Sequence, residues 1–184
     1  MKSFRPFGPT LGKGKLSKKI IKVINDQIDK STINKKNDYS SKLASQIKNE
    51  IKLSNTFVKK NLSKELIKNI KKYLIHSGSK NIKKVKIINL WIIRQFKNEY
   101  NPVHFHSGDI SGVGYLKVPK NLTQSKKKIK TNGTIDFING TKSFMNNSIY
   151  NHVPKVGDMI FFPNYLMHTA YPFNVDGERR SFSF

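Results

Sequence analysis

Two histidines separated by one residue, His104-Phe105-His106, are the part of this sequence best suited to metal chemistry. They follow the turn-forming pair Asn101-Pro102, in a stretch whose composition predicts a strand. Side chains at positions i and i+2 of a strand lie on the same face, so both imidazoles can bind one metal ion. The pattern by itself is a weak indication of a metal, and two histidines that only pack or face solvent are the simpler interpretation.

Two later segments strengthen the prediction of a site. A third histidine, His168, follows an apolar strand and a proline-containing loop. Further on, Arg179, Ser181 and Ser183 alternate onto one face of a terminal strand. A cation on an inward face is costly unless it has an anionic partner. We therefore expect a bound carboxylate to pair with Arg179.

The elements that would position these residues change character near residue 80. Before it, amphipathic helices are predicted to begin at Ser17, at Ser40 or Ser41, and at Ser63, each with apolar residues at helical spacing. Residues 54–61 are predicted to form a loop. After it, residues 85–93 are apolar on both faces, as in a covered central strand. Short apolar stretches between turn residues then predict a β-sandwich or barrel, with no long helix after residue 100.

Length and composition set further limits. The chain has 184 residues, the size of one domain, in which residues 1–80 would pack on a barrel formed by residues 81–184. It contains no Cys, which excludes disulfides, thiolate metal sites and thiol nucleophiles. No apolar run approaches the roughly 20 residues of a membrane helix, and the first residues lack the apolar stretch of a signal peptide. We expect a cytoplasmic protein that does not interact with membranes.

The net charge of +24 first suggests a nucleic-acid partner. However, only four of the 35 basic residues are Arg, the residue that nucleic-acid sites favour for bidentate and stacking contacts. Lys, Asn and Ile are abundant, and all three have AT-rich codons, so an AT-biased genome would give the same profile. A nucleic-acid partner is therefore not favoured.

Taken together, the motifs resemble the Fe(II)/2-oxoglutarate-dependent oxygenases, in particular small oxygenases of marine bacteria and their phages. The resemblance rests on His-x-His, the segment from Ser111 to Leu116, Pro154-x-x-Gly157-Asp158 followed by Phe162-Pro163, the distal His168, and Arg179-x-Ser181. It covers residues 85–184 well and the helical part loosely. It implies a double-stranded β-helix, a jelly roll with N-terminal helices, in a bacterium or a phage-infected cell.

The resemblance also implies the chemistry. Fe(II), 2-oxoglutarate and O₂ would be the cofactor and co-substrates of a dioxygenase that hydroxylates a C–H bond and releases succinate and CO₂. The prime substrate is unidentified, and a peptidyl side chain such as prolyl is favoured by analogy. Arg179 and Ser181 would bind the far carboxylate of 2-oxoglutarate, and Tyr115 corresponds to a position whose phenol often reaches it. Arg180 would point to the other face.

The second metal ligand departs from the family pattern. Family members use His-x-Asp/Glu and a distal His, a facial triad, whereas position 106 is His. Three ligand sets remain open: His104, His106 and His168; Asp109 in place of His106; or two histidines with water. We favour the three-histidine set, which would carry one negative charge fewer and depend more on Arg179 to hold 2-oxoglutarate.

Two other functions remain open from the sequence. The chain could be a cupin-like module that binds a metal or small ligand without turnover, although such a module has no need of the Arg-x-Ser pair. It could also be a basic nucleic-acid-binding protein that uses the lysine faces of its helices. The second alternative predicts affinity that falls steeply with salt and does not depend on His168.

Overall fold

A computed structural model describes residues 1–4, 8–31, 37–79 and 81–184, which form eleven strands and three α-helices. The helices are α1 (Lys18–Asp29), α2 (Asn55–Asn61) and α3 (Ser63–His76), with a short 3₁₀ helix at Ser40–Lys42. The strands are β1 (Lys2–Phe4), β2 (Leu11–Lys15), β3 (Glu50–Lys52), β4 (Trp91–Gln95), β5 (Asn101–His104), β6 (Ile110–Lys117), β7 (Ile135–Ile138), β8 (Ile149–His152), β9 (Asp158–Pro163), β10 (Met167–Ala170) and β11 (Arg179–Ser183).

The strands form two antiparallel sheets. The larger has the order β1-β2-β9-β6-β11-β4-β3, and the smaller has the order β5-β10-β7-β8. The sheets share one apolar core, to which β6 and β9 contribute from the larger sheet and β7 from the smaller. This is the arrangement of a jelly roll, so the predicted double-stranded β-helix with N-terminal helices is confirmed.

Strand β9 shows how the sequence separates two cores. Ile160 and Phe162 face the smaller sheet, whereas Met159 and Phe161 face the helices on the opposite side. All four side chains are almost completely buried, as expected for a strand covered on both faces. The fold therefore has three layers: helices, the larger sheet and the smaller sheet.

The helices pack on the larger sheet through one apolar stripe each. Helix α1 begins after Ser17, whose hydroxyl accepts a hydrogen bond from the Ile20 amide, and buries Ile20, Ile24 and Ile28. Helix α3 buries Leu66, Ile70 and Tyr73. Within the described residues, no helix is both long and apolar enough to cross a membrane.

Three local predictions are wrong. The second predicted helix is only the turn Ser40–Lys42, and its last apolar residue, Ile51, lies in β3. Its spacing of four was coincidental, because pairing with β4 decides the conformation of Ile51. Helix α2, capped by Ser54, replaces a predicted loop at 54–61. The strand predicted over 85–93 begins only at Trp91.

The N-terminal part is also less purely helical than predicted. It contributes β1, β2 and β3, all of which join the larger sheet. Glu50 of β3 is fully buried beside this sheet; its Oε2 accepts a hydrogen bond from Ser45, and its Oε1 has no hydrogen-bond partner among the described residues. Burial raises the pKa of Glu50 to about 7 against the opposing effect of the Ser45 hydroxyl.

We expect Glu50→Gln to stabilise the protein at high pH but not at low pH. The folded state holds the Glu50 proton more tightly than the unfolded state, so the wild type loses stability as pH rises from 4.5 to about 7. The variant keeps the neutral side chain, and its advantage in free energy of unfolding should grow to on the order of 2 kcal/mol at slightly alkaline pH. Urea unfolding at several pH values measures this, with the exposed Asp26→Asn as control. A pH-independent difference would contradict the assignment.

Candidate active site

The first two histidines of the site lie at the end of β5. His104 is its last residue and His106 follows two positions later, so their side chains turn to the same side, whereas the intervening Phe105 is 65% exposed. The Nδ1 atom of His104 lies 2.7 Å from the Pro102 carbonyl oxygen. This contact fixes the ring and leaves Nε2 facing inward.

His168 reaches the same point from the neighbouring strand. In the antiparallel pairing of β10 with β5, His168 lies directly opposite His104. Its Nδ1 lies 2.9 Å from the Leu166 carbonyl oxygen, and its Nε2 lies 3.1 Å from Nε2 of His106. The potential ligand nitrogens of the three histidines all lie within 4.8 Å of one another.

This donor set fits a transition-metal ion such as iron. Two nitrogen ligands that each lie about 2 Å from one ion, at about a right angle, are about 3 Å apart. His106 and His168 already have this separation. The backbone carbonyls bound to the other ring nitrogens of His104 and His168 are the outer contacts expected for metal-binding imidazoles.

The histidines are also in the protonation state that a metal requires. Burial lowers the pKa of His106 to about 4 and that of His168 to about 3, and the other imidazoles of the cluster contribute to both shifts. Burial lowers the pKa of His104 as well. All three rings are therefore neutral at physiological pH and have lone pairs available for a metal.

Asp109 does not join this cluster. It is exposed, its main-chain oxygen accepts a hydrogen bond from the Asn164 amide, and the group of potential ligands found among the described residues contains only the three histidines. Asn164 also donates to the His106 carbonyl oxygen, so this loop anchors the backbone of His106. The geometry thus favours His106 over Asp109.

A buried arginine lies in the same cavity as the histidines. Arg179 of β11 is 3% exposed; its guanidinium donates to the Gly133 carbonyl oxygen at 2.7 Å and to Oε1 of Gln95. Among the described residues, none forms a hydrogen bond with its Nε and no carboxylate forms an ion pair with it. A buried cation without an anion indicates an anionic ligand, as the sequence predicted.

Ser181 and Tyr115 lie beside Arg179. The two residues are partners in the pairing of β11 with β6, and both line the cavity with Arg179. Burial raises the pKa of the Tyr115 phenol to about 12, so it stays protonated and can donate a hydrogen bond. The predicted residues for the far carboxylate are therefore together at one wall.

Arg180 faces the opposite side of β11, as predicted. It is fully buried and donates hydrogen bonds to Glu178, to Asp29 at 2.7 Å and to Asn25 at 3.0 Å. Two carboxylates thus neutralise it and tie the sheet to α1. Consecutive arginines in one strand have separate roles, because strand alternation sends them to different layers.

Two partners of Arg179, namely Gln95 and the Gly133 carbonyl, were not predicted from the sequence. Gln95 is the polar end of the apolar strand β4 and lies opposite Arg179 in the pairing with β11. A polar side chain in phase with Trp91 and Ile93 could have identified it. Gly133 comes from a distant loop, and local sequence gives no indication of that contact.

The cavity that contains these groups is large. Its volume is about 970 Å³, and its wall includes the three histidines, Arg179, Trp91 and Phe162. Trp91 contacts the His106 ring and Phe162 contacts the His168 ring, with centroids 5.6 and 4.8 Å apart. Aromatic rings therefore pack directly against two of the three potential metal ligands.

A family model described as "Putative 2OG-Fe(II) oxygenase" matches residues 89–184, more than half of the chain and all of the site. The chain belongs to this family. It is thus a dioxygenase that uses Fe(II) and 2-oxoglutarate, and the alternative of a binding module without turnover is not supported. The oxygenase matches no curated protein sequence.

Solved structures agree with this fold. A Pseudomonas putida prolyl-4-hydroxylase has a TM-score of 0.60 at 8% identity, with 94% of this chain and 89% of that chain covered. The viral collagen prolyl hydroxylase of Paramecium Bursaria Chlorella virus-1, in complex with 2-oxoglutarate, has a TM-score of 0.58 at 18% identity, with 94% and 93% covered. HygX from Streptomyces hygroscopicus, with nickel and 2-oxoglutarate bound, has a TM-score of 0.57 at 11% identity, with 96% and 80% covered.

Proposed function

We propose that His104, His106 and His168 hold the catalytic Fe(II), and that Arg179, Ser181 and Tyr115 hold the far carboxylate of 2-oxoglutarate. The observation that carries this proposal is the convergence in one cavity of three neutral imidazoles and a buried guanidinium without an anion. The first group binds a cation without adding charge, and the second requires an anion. 2-Oxoglutarate connects the two sites, because it has a chelating end and a free carboxylate.

The three-histidine set changes the electrostatics of the site. A histidine at position 106, in place of the usual acid, leaves the full charge of Fe(II) to be balanced by dianionic 2-oxoglutarate alone. The centre with its co-substrate is then neutral, and Arg179 adds one positive charge behind it. The guanidinium is held in place by Gln95 and Gly133 before any ligand arrives, so little ordering is needed on binding.

The residues of the chain bind the metal and the co-substrate, orient the imidazoles and keep water away from them. The carbonyls of Pro102 and Leu166 orient two imidazoles, and Trp91, Phe137 and Phe162 surround the histidine rings. When bound, iron and 2-oxoglutarate would supply, with O₂ as the oxidant, the hydroxylation of a C–H bond; one oxygen atom of O₂ enters the product and the other enters succinate, and CO₂ is released. The open side of the cavity receives the prime substrate.

We further propose a peptidyl side chain, such as prolyl, as the group that is hydroxylated. Two of the similar structures are prolyl hydroxylases, and they cover nearly the whole chain. The cavity extends well beyond the space near Arg179, so a side chain carried on a polypeptide can enter it. A cytoplasmic location stays a prediction from the sequence.

Measurement of succinate formation tests both the proposed activity and the choice of His106 rather than Asp109 as the second metal ligand. With Fe(II), 2-oxoglutarate, O₂ and a proline-containing peptide, we expect succinate together with a peptide heavier by one oxygen atom. His106→Ala should lower the rate of succinate formation at least about a hundredfold, because an iron ligand is removed. Asp109→Ala should change this rate less than about twofold. The reverse ranking would assign the iron to Asp109, and an iron-independent rate would contradict the proposal.

A further inference from the structure

One wall of the cavity is a segment without hydrogen bonds. Residues 81–89, called here the rim segment, all line the cavity. From Lys84 to Ile88 exposed residues alternate with half-buried ones, the pattern of an extended chain. Val85 and Ile87 pack on the helical core. Among the described residues, none forms a hydrogen bond with a main-chain atom of this segment.

An extended chain with unpaired amides and carbonyls is a template for another strand. The segment ends at Leu90, where the main chain begins to pair: the Leu90 carbonyl accepts from the Leu53 amide, and β4 follows. Before that point its polar main-chain groups are left for water or for a ligand. A peptide that lies along such an edge gains main-chain hydrogen bonds without requiring a particular sequence.

The charges around the cavity have one dominant sign. The lining includes Lys42, Lys83, Lys84 and Lys86, and Asp109 is the only acid among the lining residues that the structure describes. The three histidines are neutral, and Arg179 is buried at the inner wall. A cationic substrate would find almost no partner, whereas an acidic one would meet several lysines.

The rim segment also gives the cavity an apolar wall, which suits a substrate with aliphatic as well as charged groups. Four aliphatic residues of the rim segment line the cavity together with Trp91, namely Ile82, Val85, Ile87 and Ile88. A volume of about 970 Å³ lies at the upper end of the range for ligand sites and leaves room beyond 2-oxoglutarate. Aliphatic side chains, lysines and unpaired main-chain groups in one wall match an acidic peptide better than stacked bases, which favour Arg and aromatic platforms.

We propose that the substrate is an acidic polypeptide segment that pairs with the rim segment as an added strand, with its acidic side chains close to Lys83, Lys84 and Lys86. This inference rests on the proposed function and narrows its substrate class. The added strand would run past the cavity mouth and direct one side chain toward the histidines. Nine residues at about 3.3 Å each give an edge of about 30 Å for the pairing.

Anisotropy of labelled peptides tests the proposal. The peptides have about 12 residues, enough to cover the rim segment, and a central proline flanked by Glu, by Gln or by Lys. They are added to the enzyme with Fe(II) and 2-oxoglutarate under anaerobic conditions. We expect the Glu-flanked peptide to bind at least about tenfold more tightly than the Gln-flanked one, with no binding of the Lys-flanked one. A Gln-flanked peptide that binds equally well would overturn the acidic preference.

Two variants with equal net charge distinguish attraction by the lysines of the rim segment from attraction by the net charge of the whole protein. Lys83→Gln/Lys84→Gln/Lys86→Gln removes three charges at the cavity, and Lys126→Gln/Lys127→Gln/Lys128→Gln removes three exposed charges that do not line it. The rim variant, changed at 83, 84 and 86, should weaken binding of the Glu-flanked peptide about tenfold. The loop variant, changed at 126–128, should weaken it less than about twofold. Equal weakening would show that only net charge matters and would overturn the proposal.

Two further probes test the mode of binding. Methylation of alternate main-chain nitrogens in the Glu-flanked peptide should weaken binding about tenfold, because it removes donors from the added strand; an unchanged affinity would overturn the pairing. Both triple variants should weaken the binding of a single-stranded oligonucleotide to the same extent. If the rim variant alone weakens it and the enzyme oxidises it, the substrate is nucleic acid instead.

Succinate formation separates this inference from the proposed function. Slow turnover of 2-oxoglutarate without substrate requires only the residues that hold iron and 2-oxoglutarate. The wild type and the loop variant should therefore show it at equal rates. If the wild type shows no turnover of 2-oxoglutarate at all, the iron assignment fails. A normal rate with the wrong peptide preference would mean that only the substrate class fails.

Discussion

Replacing His168 with Ala is expected to abolish Fe(II)-dependent succinate formation, with a loss of about a thousandfold or more. His168 is the most buried of the three imidazoles and lies close to both others, 3.1 Å from His106 and opposite His104 in the sheet. Without it, only the imidazole nitrogens of His104 and His106 remain, and both come from the end of β5. Two ligands cannot fix the orientation that 2-oxoglutarate and substrate require.

The expected loss has a matched control and a test against simple unfolding. His76→Ala removes an exposed histidine from the end of α3 and should retain full activity. His168→Gln retains more of the volume next to Phe137 and Phe162 and should fold normally but stay inactive. Added imidazole should restore part of the activity of the Ala variant. Near wild-type turnover in either His168 variant would contradict the ligand assignment.

Replacing Arg179 with Ala should raise the KM for 2-oxoglutarate about a hundredfold and affect kcat much less. Two hydrogen bonds between the guanidinium and a carboxylate contribute about 1.5–3 kcal/mol each, and the neutral three-histidine centre cannot replace them by charge. The KM for the prime substrate should stay the same. Steady-state kinetics with each substrate varied in turn measures this difference.

Arg179→Lys separates charge from geometry at the same position. The ammonium group retains the positive charge but cannot bind Gly133, Gln95 and a carboxylate in one plane. An intermediate KM, between those of the wild type and the Ala variant, is therefore expected. If the Ala variant binds 2-oxoglutarate as well as the wild type, Arg179 does not hold its carboxylate.

Strand alternation predicted one part of the candidate site from the sequence, namely which of its residues share a face. His104 with His106, and Arg179 with Ser181, share a face at positions i and i+2, and the structure brings both pairs to one cavity. The separate role of Arg180 followed from the same rule. The distance between the pairs could not be predicted, because it depends on the register of β5, β10 and β11 across two sheets.

The sequence predicted less well where pairing partners decide the structure. Leu43, Ile47 and Ile51 have helical spacing, yet β4 draws Ile51 into a strand. The rim segment has the composition of a central strand, but composition does not reveal whether a neighbour is present to pair with it. Its isolation became visible only in the fold, and it is the feature on which the substrate inference depends.

Anaerobic titration of the purified enzyme with Fe(II) and 2-oxoglutarate is the decisive experiment for the three-histidine iron site. The chelate of Fe(II) with 2-oxoglutarate has a visible charge-transfer absorption. We predict that this absorption appears with one iron per chain, that it is lost in His106→Ala and His168→Ala, and that Arg179→Ala requires far more 2-oxoglutarate to reach it. If it persists in both histidine variants, or is absent from the wild type although iron binds, the three-histidine iron site is contradicted.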